Sequence, residues 1–167
     1  MARFRIVPLL CLIPFLFTLQ ACEPIVPLNS PEELTAFQQE MLDAVNALRQ
    51  EGCQCGNQQY APTHRLSWNA LLAQAAERHA KDMASHKHFG HKGTDGSTFS
   101  DRIESTGYRY ANASENIAHG FSDVMAVMEA WKKSPGHCKN LMDPGVREMG
   151  AAKVSTYWVQ NFAASLN

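Results

Sequence analysis

The spacing of apolar residues changes part-way along this chain, and that change limits what it can fold into more than any other feature. From Pro31 the pattern is helical: Ser30 reads as an N-cap, Pro31 as the first helical residue, and Glu32 and Glu33 as an acidic first turn. Leu34, Phe37, Met41, Val45 and Leu48 follow along one face, and Gly52 stops the helix. A second helix is predicted over Trp68–Ser85, with Leu71, Leu72, Ala75, Ala76, Ala80 and Met83 as its stripe and Arg78 and Lys81 facing water. His79 falls in or beside that stripe and reads as a hydrogen-bonded packing residue. A short helix over Phe99–Thr106 closes at Gly107, and another, capped by Ser122, carries Val124, Met125, Val127, Met128 and Trp131 and ends before the Pro135-Gly136 turn. The remaining apolar stretches are short and rich in aromatic or β-branched residues: Tyr108–Tyr110, Glu115–Ala118, Met149–Val154 and Tyr157–Phe162 read as strands. Helices first and strands mostly later predict an α+β layer packing rather than a parallel nucleotide-binding sheet. No phosphate-cradling G-x-x-x-x-G-K or G-x-G-x-x-G is present.

The N-terminus indicates where such a domain works. Arg3 and Arg5 precede an apolar run from Ile6 to Leu19, broken by Pro8 and Pro14 and too short for a good membrane span. Residues 1–21 therefore read as a secretory signal. Its end, Leu19-Gln20-Ala21-Cys22, resembles the bacterial lipobox, in which the cysteine is lipidated and becomes the first mature residue. Several acyl chains on Cys22 would anchor the protein stably, since each buried CH2 contributes about 0.8 kcal/mol. Residues 22–30, with Pro24 and Pro27, form a tether, and residues 31–167 form the domain. The expected location is extracytoplasmic and membrane-anchored; Glu23 after the cysteine favours the outer membrane if the host is Gram-negative. Beyond the signal, 13 Lys and Arg face 16 Asp and Glu, with no basic stripe, so nucleic acid is not an expected partner.

Three residues carry the chemistry a binding cleft would need: His91 in Phe89-Gly90-His91, Glu115 in Ser114-Glu115-Asn116-Ile117, and His137 in Ser134-Pro135-Gly136-His137-Cys138. Imidazole and carboxylate can hold a divalent metal or move a proton. Each also has a structural reading: His91 bonding its own loop, His137 closing a turn, Glu115 satisfied by backbone N–H groups. His86 and His88 read as solvated loop histidines, and His64 and His119 carry no signal. No serine sits in a G-x-S-x-G elbow.

The ordered set Leu66-Ser67-Trp68-Asn69, Phe89-Gly90-His91, Asp95-Gly96-Ser97, Glu115-Asn116-Ile117-Ala118, Trp131 to His137, Asn140-Leu141-Met142, Glu148-Met149-Gly150 and Tyr157 to Phe162 resembles the bacterial branch of the CAP superfamily. That superfamily groups cysteine-rich secretory, antigen 5 and pathogenesis-related proteins. The resemblance runs from about Met41 to Ala163. It implies an α-β-α sandwich around a central, largely antiparallel sheet, with His91, Glu115 and His137 lining one cleft.

Two neutral imidazoles, His91 and His137, would then bind zinc or magnesium weakly, with Glu115 supplying an oxygen or orienting a water. Animal and plant members add a second glutamate after the tryptophan. Here Trp131-Lys132-Lys133-Ser134 has no acid there, and Glu129, two residues before Trp131, is not promoted to that place. In bacterial relatives Cys-Gly after the first helix and His-Cys after the turn look like a bridge, which maps onto Cys55 and Cys138. Such a bridge would contribute roughly 4–5 kcal/mol in the chain-entropy model. Cys53 is left to compete for Cys138, pair between molecules or stay free; a Cys53/Cys55 zinc pair is disfavoured by its one-residue spacing. The leading expectation is a non-catalytic module that binds an apolar or lipid ligand, a cell-wall component or an envelope partner. The alternatives are a metal-dependent hydrolase of peptide or cell-wall substrates with Glu115 as general base, and a purely structural envelope protein.

Overall fold

Local chemistry sets where each element begins. The computed structural model describes residues 33–166, so the signal, Cys22 and the tether lie outside the described residues. Helix α1 (Ala36–Glu51) starts five residues after the expected Pro31: Glu33 and Leu34 are not helical, and Thr35 is the N-cap. The reason is a capping box, in which Thr35 accepts from the Gln38 N–H and the Gln38 side chain accepts from the Thr35 N–H. Next comes a hairpin that the apolar pattern did not announce, β1 (Cys53–Cys55) paired antiparallel with β2 (Gln58–Tyr60).

Ser67 and Trp68 form a two-residue strand, β3, rather than the start of a helix. Helix α2 (Ala70–His86) follows because the Asn69 side chain accepts from the N–H groups of Leu71 and Leu72. Then come α3 (Phe99–Glu104), shorter than expected at its C-terminus, and β4 (Tyr110–His119), a single ten-residue strand in place of two short ones. The polar Asn112-Ala113-Ser114 segment joins those two because its pairing with β6 continues through it. Helix α4 (Val124–Lys133) is capped by Asp123, whose carboxylate accepts from the Ala126 N–H; Ser122 only donates to Asp123. Pro135-Gly136 is not a terminating turn. Pro135 opens a further helix, α5 (Pro135–Met142), where its missing N–H has no cost. Strands β5 (Glu148–Val154) and β6 (Tyr157–Ser165) complete the chain.

Strands β3, β5, β6 and β4 lie in that order; only the short β3–β5 pair is parallel. Side-chain alternation along β6 divides the core. Trp158 and Phe162 pack with Met41, Val45, Val127, Trp131 and Leu141 from α1, α4 and α5, whereas Val159 and Ala163 pack toward α2 and α3. The result is the expected α-β-α sandwich. Gly150 in β5 lets α2 sit directly on the sheet: a Cβ there would lie 2.1 Å from the Ala73 backbone nitrogen. Buried polar groups are matched across layers. Asn46 pairs with both backbone groups of Leu66 (3.0 and 2.7 Å), and Arg49 donates to the carbonyls of His64, Leu141 and Asp143.

Candidate functional site

The candidate cleft forms where β4 is the sheet's edge, so elements from both faces can reach it. Alternation sends Glu115 toward α3 and Asn116 toward α5. The Glu115 carboxylate is 1% exposed and holds two partners. Arg102 Nη2 donates to Oε2 at 2.8 Å, and His91 Nδ1 donates to Oε1 at 2.9 Å. Arg102, equally buried, also donates to the carbonyls of His91 and Ser97, both at 3.0 Å. A buried carboxylate is thus satisfied by one guanidinium and one imidazole, and the same guanidinium fixes the loop that presents His91.

That loop has further supports on α2. The His79 Nε2–H donates to the Gly90 carbonyl at 2.8 Å, one residue before His91. Burial first, against the opposing pull of Glu115, holds the fully buried His79 below the usual imidazole range, so it serves as a neutral packing donor as expected. Asp82 accepts from the Thr94 N–H and hydroxyl, and Arg78 reaches Asp95 at 2.9 Å. His86 lies exposed beside Asp82. His91 itself is exposed, with Nδ1 bonded to Glu115 and Nε2 left to solvent.

His137 arrives from the other face, in the first turn of α5. Its carbonyl accepts from Asn116 Nδ2 at 3.3 Å, while Asn140 Nδ2 donates to the Glu115 carbonyl at 3.2 Å and to Asn116 Oδ1 at 2.9 Å. Burial, and secondarily the nearness of His91, push its imidazole below the usual range. His91 and Glu115 are bonded at this edge and the His137 backbone is bonded to Asn116 beside them, but the three residues do not gather their ligand atoms to within 4.8 Å of one another.

Sequence reasoning missed Arg102. It precedes Ile103 in a short helix, and nothing in the local pattern marks its charge as buried. Asn116 and Asn140 stood in quoted motifs without a role; they lock α5 to β4. Glu148 likewise has a structural task, accepting from Tyr108 Oη and, at 2.9 Å, from Asn69 Nδ2. Glu129 lies exposed on α4 beside Lys132 and is not bonded to His91, Glu115 or His137. Cys55 and Cys138 are bonded. Cys53 is free and buried against them, and these three sulfurs are the one His/Cys/Asp/Glu group among the described residues close enough to hold a metal. They could do so only as thiolates, with the bridge reduced.

Comparison with known proteins decides the family, since the model of the cysteine-rich secretory protein (CAP) family matches residues 42–162. The chain belongs to the CAP family. The CAP domain is 31% identical, over 137 residues, to the uncharacterized protein YkwD of Bacillus subtilis (strain 168), covering 80% of this chain and 49% of that protein. Among solved structures it is similar to an extracellular protein containing an SCP domain from Bacillus anthracis, with a TM-score of 0.69 and 27% identity, covering 81% of this chain and 45% of that one. An outer surface protein of Borrelia burgdorferi shares the fold, with a TM-score of 0.67 at 19% identity, covering 77% of this chain and 92% of that one. The chain spans about half the length of YkwD, so activities of the longer relative do not pass to it. The Bacillus anthracis relative is an extracellular protein, and no helix among the described residues of this chain is long and apolar enough to cross a membrane.

Proposed function

We propose that this chain is a lipid-anchored, extracytoplasmic binding module whose ligand is apolar and lies between α1 and α4. One observation carries the reading: a groove of about 540 Å³ runs between these helices, floored by Ala44, Ala47, Leu48, Met125 and Met128. That volume lies in the range of small-molecule sites, and Met125 is 61% exposed, high for a large apolar side chain. Methionines suit a site that adapts to its ligand, because the thioether side chain is flexible and polarizable. The rim carries Glu40, Asp43, Glu51 and Glu129 against Lys132, so a neutral or cationic head group fits better than a carboxylate.

The cleft at His91 and His137 adds weak divalent-metal binding to this proposal. His91 Nε2 would be the ligating atom, with Glu115 orienting the ring through Nδ1 as carboxylates orient metal-bound histidines. The hydrolase alternative is less well supported. The Glu115 carboxylate is 1% exposed and already paired with Arg102 and His91, so a water to be activated has little access to it.

The groove is tested by titrating the full chain with the neutral fluorophore N-phenyl-1-naphthylamine. Ala47→Trp fills the floor and should weaken binding about tenfold or more, which corresponds to about 1.4 kcal/mol. Equal affinity in wild type and variant, with both folded, would place the ligand elsewhere.

A further inference from the structure

Three sulfurs meet under the β1–β2 hairpin. Cys53 and Cys55, two apart on β1, point to the same face, toward Cys138 on α5. Cys53 Sγ lies 3.4 Å from Cys138 Sγ and 3.6 Å from Cys55 Sγ, and Cys55 and Cys138 are bonded to each other. The third sulfur is therefore in van der Waals contact with both atoms of an existing disulfide. All three are buried.

We propose that these cysteines form an internal disulfide-exchange centre, in which Cys138 alternates between Cys55 and Cys53. The Cys53 thiol first loses its proton to solvent base. The thiolate attacks Cys138 Sγ, forming the Cys53–Cys138 bond, and Cys55 leaves as a thiolate that then takes up a proton. One S–S bond forms as one breaks, with no net oxidation or reduction. Attack on Cys55 instead would bridge residues i and i+2 of one strand. Their Cα atoms stand roughly 6.5–7 Å apart, at the edge of what a disulfide spans. Cys138 is accordingly the productive target, reached once a turn of the Cys53 side chain brings its sulfur into line with the Cys55–Cys138 bond, because the near-equal distances place it beside that bond rather than at its end.

Exchange would move the tether of α5 by two residues along β1, and His137 is the residue before Cys138. Gly56, at the hairpin turn, packs so closely on Pro135 that an added Cβ would lie 3.1 Å from its ring. Hairpin and α5 thus have to shift together, which couples the sulfur pairing to the placement of His137. Burial raises the Cys53 thiol above its usual range, partly opposed by Lys132, so the thiol form is favoured at neutral pH.

The test uses the full oxidised chain and its Cys53→Ser and Cys55→Ser variants. Free thiols are alkylated after acid quenching and denaturation, and linked peptides are fragmented between Cys53 and Cys55 to assign the partner. Cys55→Ser should show Cys138 protected from alkylation by a bond to Cys53. Wild type equilibrated with catalytic glutathione should yield both linked species. A folded Cys55→Ser variant with Cys138 fully alkylated would overturn the proposal. Should that variant fail to fold, a wild-type chain yielding only the Cys55–Cys138 peptide after equilibration would overturn it equally.

Discussion

Replacing Arg102 with Met should be among the most damaging single changes in this protein, and the size of the effect can be worked from its contacts. Met keeps the length and apolar stem of the side chain, so cavity effects stay small. What is lost is the donor to Glu115 Oε2 and to the carbonyls of His91 and Ser97, all at 2.8–3.0 Å. Both charged side chains are 1% exposed, so water cannot replace the missing partner. Removing one member of a buried ion pair costs about 3–5 kcal/mol, a large share of the roughly 5–15 kcal/mol that holds a domain together. For a domain of this size that is a fall in Tm of roughly 10–20 °C. Replacing Glu115 with Leu in the same chain removes the stranded charge. The double variant should recover about 2 kcal/mol, the remaining deficit coming from the two orphaned carbonyls. Urea unfolding at pH 7.5, followed by far-UV circular dichroism, measures each variant and the coupling between them. An Arg102→Met loss under about 1 kcal/mol, or a double variant no better than the single, would refute the buried-pair reasoning.

Stability should fall on acidification from pH 7.5 to pH 5, because His79 and His137 both bind protons less readily folded than unfolded. That contribution is complete above the unfolded value near 6.5 and is lost as pH falls below it toward the folded values. The lowered carboxylates Asp82, Asp95, Asp101 and Asp123 act only below about 4, so His79→Gln and His137→Gln should each flatten the pH slope in urea melts. An unchanged slope would remove the histidines as its source. Gly150→Ala should destabilise by about 3 kcal/mol or more through overlap with α2, whereas Gly136→Ala, in open space within α5, should gain about 0.4–1 kcal/mol. Similar melts for the two would contradict the packing of α2 on the sheet. Cys22→Ser should release the protein from the membrane fraction with its circular dichroism intact. Continued pelleting would remove lipid anchoring.

Much of the fold was legible because amphipathic spacing is a local property. The faces of α1, α2 and α4 and the existence of β5 and β6 follow from residues such as Met41, Ala76 and Val127 alone. Boundaries were less legible. Thr35 and Asp123 displaced Ser30 and Ser122 as caps because a cap is decided by which side chain reaches an N–H, and several candidates stood side by side. Helix α4 ends before Pro135 as expected, but Pro135 also opens α5, which the pattern does not announce, since proline suits both sides of a helix boundary. The hairpin at Cys53–Tyr60 has strands of only three residues, with Cys53, Cys55 and Tyr60 as its core contacts, too short a run to announce a strand. At the site, the motifs point to His91 and Glu115, which are bonded, but nothing local points to Arg102, their shared partner. Its importance comes from a contact across 13 residues of chain, which no local pattern encodes.

The cleft account is tested most directly by imidazole nitrogen NMR of the full chain during zinc titration at pH 7.5. His91 Nε2 and a His137 nitrogen should shift together, to a common endpoint at one ion per chain, with His91 Nδ1 still protonated against Glu115. Movement of only one ring, or of His86 and His88 in their place, would contradict the shared cleft.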